Sequence, residues 1–333
     1  MKQHIGIIGA GAWGTALAQN MANAGKQVTL WARESEVVRN ITDKRENHLF
    51  LPGIRLHEDI QPVESIAAAC EADVMLVVTP AQVVRSVLSA MRPSLNAEKA
   101  VLICAKGIEL ETGLLLSHVA EETVPETSPG ILTGPTFARE IAEGRPCAVT
   151  LAINDRDKGA ELVEALGSRY FRPYFTQDII GAQIGGAIKN VYAIACGAVI
   201  GRELGESARA GLMTRGLAEM SRLTAILGGD RMTLQGMSGV GDLTLTCTSE
   251  QSRNYSLGLA LGRGESLEKI LKTRTAVTVG VSTAKAVVLM ARKQAVDMPI
   301  CAAVQRFLEQ ESDLDTVIGE LLDRPLDMPN SAR

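Results

Sequence analysis

Along the first half of the chain, short apolar runs alternate with segments whose apolar positions recur at helical spacing. Ile5–Ile8, Val28–Trp31, Val74–Val78, Val101–Cys104 and Gly130–Thr133 predict strands. Their nearly unbroken apolar character suits parallel strands covered on both faces. Between them, Thr15–Ala24, Val63–Cys70, Val83–Met91 and Leu114–Glu121 predict helices. This strand–helix alternation argues for an α/β fold built on a doubly wound parallel sheet. A helix over Lys158–Leu166, flanked by strands over Ala148–Ile153 and Arg169–Phe175, extends it.

After Asp178 the rhythm changes. Ile184–Gly201, Ala210–Leu227, Ser256–Leu261, Leu267–Leu271, Thr283–Ala295, Ala302–Glu309 and Leu314–Leu322 all read as helices, with no strand pattern among them. A boundary near residue 187 separates a sheet domain, 1–187, from an all-helical domain, 188–333. A length of 333 residues is more than one ordinary core needs and fits two.

Hydrophobic residues make up 46% of the chain and charged residues 22%, so the chain is neither disordered nor fibrous. The net charge of −4, from 34 basic and 38 acidic residues, gives no global pull toward nucleic acid or anionic lipid. Any bound anion needs a local site. Aromatic residues at 3% are too few for base-stacking platforms. The six cysteines lie far apart without a C-x-x-C pair, and only four histidines are present. Neither a metal site nor a disulfide framework is expected, and reduced core thiols point to the cytoplasm. The N-terminus runs straight into a strand pattern, without the shape of a signal peptide. Ile179 to Gly201 is long enough to span a bilayer, but Lys189, Gln183, Asn190 and five glycines within it favour a buried helix.

Gly9-Ala10-Gly11-Ala12-Trp13-Gly14 is G-x-G-x-x-G between a strand pattern and a helix pattern. The first glycine permits a tight turn, the second lets backbone approach a pyrophosphate, and the third lets helix and strand pack closely. The helix N-terminus adds free N–H groups and a positive dipole end. In a Rossmann-like sheet this predicts a dinucleotide site. A packing turn without a ligand would look the same locally. At the end of the second strand stands Trp31-Ala32-Arg33, where an NAD site usually carries an acidic residue. Arg33 can pair with a 2′-phosphate, so NADP is expected to be accepted along with NAD. Glu34 beside it offers the alternative of a neutralised surface arginine.

Lys189 is the only charge between Asp178 and Arg202. With uncharged helix on both sides, its ammonium must pair, lose its proton or reach a cleft. Lys106 follows an apolar strand, where open α/β sheets bind ligands, though a solvated loop lysine fits equally. Gly134-Pro135-Thr136-Phe137-Ala138 makes a small turn after another strand. Gly239-Val240-Gly241-Asp242-Leu243 pins a carboxylate beside flexible backbone. Ser252-Arg253-Asn254 offers a hydroxyl, a guanidinium and an amide suited to a phosphate, or else a helix cap by Ser252.

Taken in order, these motifs, with Leu51-Pro52-Gly53, Ala105-Lys106-Gly107-Ile108-Glu109, Ile188-Lys189-Asn190-Val191 and Thr214-Arg215-Gly216-Leu217, give the chain its likeness to a family. It resembles the bacterial NAD(P)-dependent sn-glycerol-3-phosphate dehydrogenases from Ile5 to about Leu322. The resemblance implies reversible reduction of dihydroxyacetone phosphate to sn-glycerol 3-phosphate, serving glycerophospholipid synthesis, with Lys189 as proton donor and acceptor. It implies that Lys106, Gly134, Thr136, Lys189, Asp242, Ser252, Arg253 and Asn254 surround the substrate. It also implies that Gly9, Gly11, Ala12, Trp13, Gly14, Arg33, Lys106, Ala138, Arg253, Val277 and Val279 line the cofactor. The chain departs from the family pattern at Val279, where a glutamate is usual, at Ser207, where an asparagine is usual, and at Ala12, where a serine is common. Another lysine-dependent reductase of 2-keto or hydroxy acids is the competing enzyme reading. A nicotinamide-binding module without turnover would not need Lys189 and Asp242. The apolar helices of the second half allow a homodimer. No nucleic-acid or membrane partner is expected.

Overall fold

The computed structural model describes residues 3–273 and 279–324. Eight strands form one sheet: β1 (His4–Ile8), β2 (Gln27–Trp31), β3 (Ile60–Val63), β4 (Val74–Val77), β5 (Ala100–Ile103), β6 (Gly130–Thr133), β7 (Cys147–Ala152) and β8 (Phe171–Thr176). Seven helices are threaded between them: α1 (Ala12–Asn23), α2 (Ser35–Lys44), α3 (Ile66–Ala69), α4 (Val84–Met91), α5 (Leu116–Thr123), α6 (Ala138–Ala142) and α7 (Arg156–Leu166). The strand order is β3-β2-β1-β4-β5-β6-β7-β8. Every neighbouring pair is parallel except β6 with β7. Ile5 of β1 lies opposite Val28 of β2 on one side and Val74 of β4 on the other. Chain order therefore runs outward in both directions from β1 and β4, which opens a crevice at their carboxyl ends.

Two apolar layers, one holding Leu17, Leu30 and Leu76, the other Met75, Val77 and Leu88, cover the two faces of the sheet. β3 departs from expectation, because Val63 ends a strand rather than opening a helix. Its Pro62 lacks an N–H, which an edge strand tolerates and a central one does not.

The second half is helical: α8 (Ile179–Gly201), α9 (Glu206–Ile226), α10 (Asp242–Thr248), α11 (Arg253–Gly262), α12 (Leu267–Thr273), α13 (Val279–Lys293), α14 (Pro299–Leu308) and α15 (Leu314–Leu322). Asp178 starts α8, its Oδ1 accepting from the N–H of Gly181 and its Oδ2 from the N–H of Asp230. Residue 187 lies inside α8, and the helical part begins at Ile179. α9, α10, α11, α13 and α14 wrap α8. Among the described residues α8 alone is long and apolar enough to cross a bilayer, and it is mostly buried inside the protein.

Candidate active site

The glycine loop joins β1 to α1 as its spacing predicts. A Cβ on Gly14 would lie 1.8 Å from the carbonyl oxygen of Gly9, so helix and strand meet there only through glycine. A Cβ on Gly11 would face open space. Gly11 caps α1 without a side chain, which leaves the first-turn amides of Ala12, Trp13 and Gly14 facing outward. Asn47, almost fully buried, donates from Nδ2 to the Ala10 carbonyl and to Thr15 Oγ1, both at 2.8 Å, and fixes the loop from behind. Two buried polar atoms beside the loop, Trp13 Nε1 and Thr79 Oγ1, have no partner in the protein. Trp13 and Ala138, the first residue of α6, pack on the same apolar cluster. Open backbone, exposed helix amides and unspent donors fit a dinucleotide at this loop.

Arg33 stands just past β2 with its side chain 80% exposed, and its guanidinium forks onto Glu34 Oε1 at 2.8 and 3.1 Å. Of the two residues of this stretch expected to line the cofactor, Val277 and Val279, Val277 lies outside the described residues. Val279 opens α13, and its Cγ1 lies close to the turn at Gly107.

Two lysines meet on one carboxylate. Lys106, two residues past Cys104 at the end of β5, donates to the Gly134 carbonyl at 2.9 Å and to Asp242 Oδ2 at 2.7 Å. Lys189, in the middle of α8, donates to Asp242 Oδ1 and to Thr246 Oγ1, the latter at 2.6 Å. Asp242 is wholly buried and Lys189 nearly so. Burial pushes the Lys189 ammonium down to about 8; Asp242 opposes that shift and Lys106 adds to it. The group can thus give or take a proton near neutral pH. Thr246, which the sequence reading passed over, lies one helical turn after Asp242 on the same face of α10.

The Ser252-Arg253-Asn254 stretch divides its roles. Ser252 caps α11, its Oγ accepting from the N–H of Tyr255 at 3.2 Å. Asn254 donates to Asn190 Oδ1 at 2.8 Å and accepts from the N–H of Gly280 at 2.9 Å, which binds the neighbour of Lys189 to the start of α13. Arg253 is exposed in the first turn of α11. Thr136 is half-buried, its hydroxyl donating weakly to the Gly134 carbonyl at 3.4 Å. Among the described residues no group of three or more His, Cys, Asp or Glu side chains is placed to hold a metal, and all six cysteines are free thiols.

The pair of ammonium groups converging from the sheet half and the helical half can stabilise an oxyanion beside a dinucleotide loop. Comparison with known proteins places the chain in a family. A family model described as the NAD-dependent glycerol-3-phosphate dehydrogenase N-terminus matches residues 4–159, and its C-terminal counterpart matches 178–319. The glycerol-3-phosphate dehydrogenase, NAD(P)+, of Rhodospirillum rubrum is 53% identical over 324 residues, covering 97% of this chain and 93% of its own. That of Parvibaculum lavamentivorans is 51% identical over 321 residues, 96% of each chain. The crystal structure of glycerol-3-phosphate dehydrogenase from Coxiella burnetii superposes with a TM-score of 0.93 at 36% identity, covering 97% of this chain and 99% of that one. The chain belongs to the NAD-dependent glycerol-3-phosphate dehydrogenase family.

Proposed function

We propose that the chain catalyses the reversible NAD(P)H-dependent reduction of dihydroxyacetone phosphate to sn-glycerol 3-phosphate, in support of glycerophospholipid synthesis. The observation that carries this reading is the sharing of Asp242 between Lys106 and Lys189. It sets two ammonium groups at one point with a single counter-charge.

Gly9, Gly11, Ala12, Trp13 and Gly14 would hold the dinucleotide, which would supply hydride to the carbonyl carbon when bound. As that bond forms, negative charge develops on the carbonyl oxygen. Lys189 stabilises it and then delivers a proton, completing the alcohol. In the reverse direction the neutral amine takes that proton back. Asp242 and Thr246 hold the Lys189 head in one orientation. Lys106 adds positive potential for a phosphorylated substrate, with Gly134 and Thr136 at the same turn. Arg253 grips the phosphate, and Ser252 and Asn254 fix the turn that presents it. The sheet half supplies the glycine loop with Lys106, Gly134 and Thr136, and the helical part, from Ile179 onward, supplies Lys189, Asp242 and Arg253. Arg33 reads the adenine ribose, which sets the balance between NADP and NAD.

The free thiols suit a reducing cytoplasm. The exposed apolar side chains Leu204, Ile226 and Met232 favour a homodimer through the helical part, which sedimentation would test. A spectrophotometric assay with dihydroxyacetone phosphate and each cofactor in turn tests the activity. Lys189→Ala is expected to abolish turnover while cofactor binding persists. Turnover in that variant overturns the mechanism, and preference for an unphosphorylated 2-keto acid returns the chain to the competing reductase reading.

A further inference from the structure

Lys106 sits at the start of an irregular stretch, 105–114, between β5 and α5. What holds that stretch comes largely from a single neighbour, the first turns of the helical segment after β4. Gln82 brackets it. Its Nε2 donates to the Ile108 carbonyl at 2.8 Å, and its Oε1 accepts from the N–H of Leu110 at 2.9 Å. The residue between those two, Glu109, is nearly buried and receives Arg85 in a two-pronged pair at 2.9 and 2.8 Å. Arg85 also reaches Glu122 on α5 at 2.9 Å. Thr112 closes the group by donating to Glu109 Oε2 at 2.6 Å.

The clamp is tight against the backbone as well. Gly107 has φ +145°, and a Cβ there would lie 2.8 Å from Ala81 Cβ. The residue directly after Lys106 is therefore pressed onto the residue directly before Gln82. The opposite side of the same turn meets the cofactor loop, since a Cβ on Gly9 would lie 3.1 Å from the Val78 carbonyl and 3.2 Å from Thr79 Cγ2. One short segment, 78–85, thus spans from the glycine loop to the loop that carries Lys106.

We propose that Gln82 is a positioning residue for Lys106, and through it a determinant of substrate affinity. The proposal rests on the reading of Lys106 as a substrate-facing group. A flexible lysine delivers its charge to a fixed point only if its Cα is fixed. Two backbone hydrogen bonds on either side of Glu109 remove the rocking motion that Arg85 and Glu109 alone would permit. Loosening the clamp should blunt substrate capture while leaving the glycine loop intact.

The test is a double-mutant cycle on the full chain with Gln82→Ala and Lys106→Met, reading kcat/KM for dihydroxyacetone phosphate, the Kd for NADH by fluorescence and the melting temperature. Gln82→Ala is expected to raise KM about tenfold with a smaller change in kcat, since a displaced ammonium loses part of its charged contact to the bound substrate. Its Kd for NADH should stay within twofold. In the Lys106→Met background the same change should add less than twofold to the loss in kcat/KM. An equal loss in both backgrounds, or an unchanged KM in the single variant, overturns the proposal. If Lys106→Met alone leaves kcat/KM untouched, the reading of Lys106 fails instead. Should Gln82→Ala melt below assay temperature, Gln82→Met, which keeps the side-chain volume and removes both hydrogen bonds, takes its place in the cycle with the same criteria.

Discussion

Asp242 is held against Lys189 without contact to solvent, its Oδ1 accepting from the ammonium while its Oδ2 accepts from Lys106. A carboxylate in that position does two things. It keeps a buried lysine charged and fixes where its protons point. Asp242→Asn removes the charge with little change of shape. Turnover is expected to fall about a hundredfold, with a lower melting temperature because the buried lysine loses its counter-charge. The alkaline loss of reductase activity should also move to lower pH, since the group opposing the depression of Lys189 is gone. Steady-state kinetics and thermal melts check this, and a variant with unchanged kcat removes Asp242 from the mechanism.

The pH dependence should run in opposite senses for the two directions. Reduction needs the Lys189 ammonium, and oxidation needs the amine. With the group titrating near 8, kcat for reduction is expected to fall as pH rises through about 8. Oxidation of sn-glycerol 3-phosphate should rise over the same interval. Profiles measured in both directions on one preparation decide it; two curves of the same sense would assign the titration to another group.

Arg253 is exposed at the start of α11, where a phosphate could approach it. A charged hydrogen bond of this kind contributes about 1.5–3 kcal/mol, so Arg253→Ala should raise KM roughly tenfold to a hundredfold. α11 itself should persist, because Ser252 still caps it. An unchanged KM would place the phosphate elsewhere.

Arg33 currently rests on Glu34, with most of its side chain in water. Reading a 2′-phosphate requires it to swing off that partner. Arg33→Asp is expected to lower kcat/KM for NADPH relative to NADH by at least about tenfold, one charged contact exchanged for a repulsive one. A ratio that stays put acquits Arg33 of any part in cofactor choice.

Away from the site, Glu219 of α9 is buried between α8 and α14. Tyr192 donates to its Oε2 at 3.1 Å and the N–H of Ile300 to its Oε1 at 2.9 Å. Burial raises its carboxyl to about 7 from an ordinary value of 4.5, against the pull of those donors. A raised folded value means its contribution to stability is complete below about 4.5 and is lost as pH climbs through about 7. Across that window the wild-type chain should lose about 3 kcal/mol from this group. Glu219→Gln keeps an acceptor for Ile300 and does not titrate, so its urea-unfolding free energy should be flatter between about pH 5 and 8. Parallel slopes in the two proteins would mean that other groups govern the trend.

Much of this was legible in the chain itself, for identifiable reasons. The glycine loop announces itself because a tight turn, a bare approach and a close crossing each exclude a side chain. Lys189 is conspicuous because a charge in the middle of an apolar helix has few places to go. Asp242 was visible as a carboxylate amid glycines, but its double engagement was not, since it depends on β5 and α8 arriving at one point. α10 was hidden because Asp242-Leu243-Thr244-Leu245-Thr246 alternates polar and apolar like a strand. Thr246 and Asn47 look like ordinary helix and loop residues; only the contacts made by folding single them out. In the chain Ser252 and Asn254 read as phosphate ligands, with a helix cap the alternative for Ser252; the hydrogen bonds of Asn254 to Asn190 and Gly280 emerge only when α11 is set beside α8 and α13. β3 was lost to Pro62, which reads as a strand breaker until its place at the sheet edge is known.

The shared carboxylate has a consequence for how the site acquires its charge. Lys189 and Asp242 both belong to the helical part, whereas Lys106 is carried by the sheet. A hinge motion that parted the two would leave behind a neutral couple, one ammonium against one carboxylate. Bringing them together restores a surplus of one positive charge where a doubly negative ester must settle. Attraction for the substrate would then be greatest with the three groups together, as they stand here, and weaker were the two halves parted.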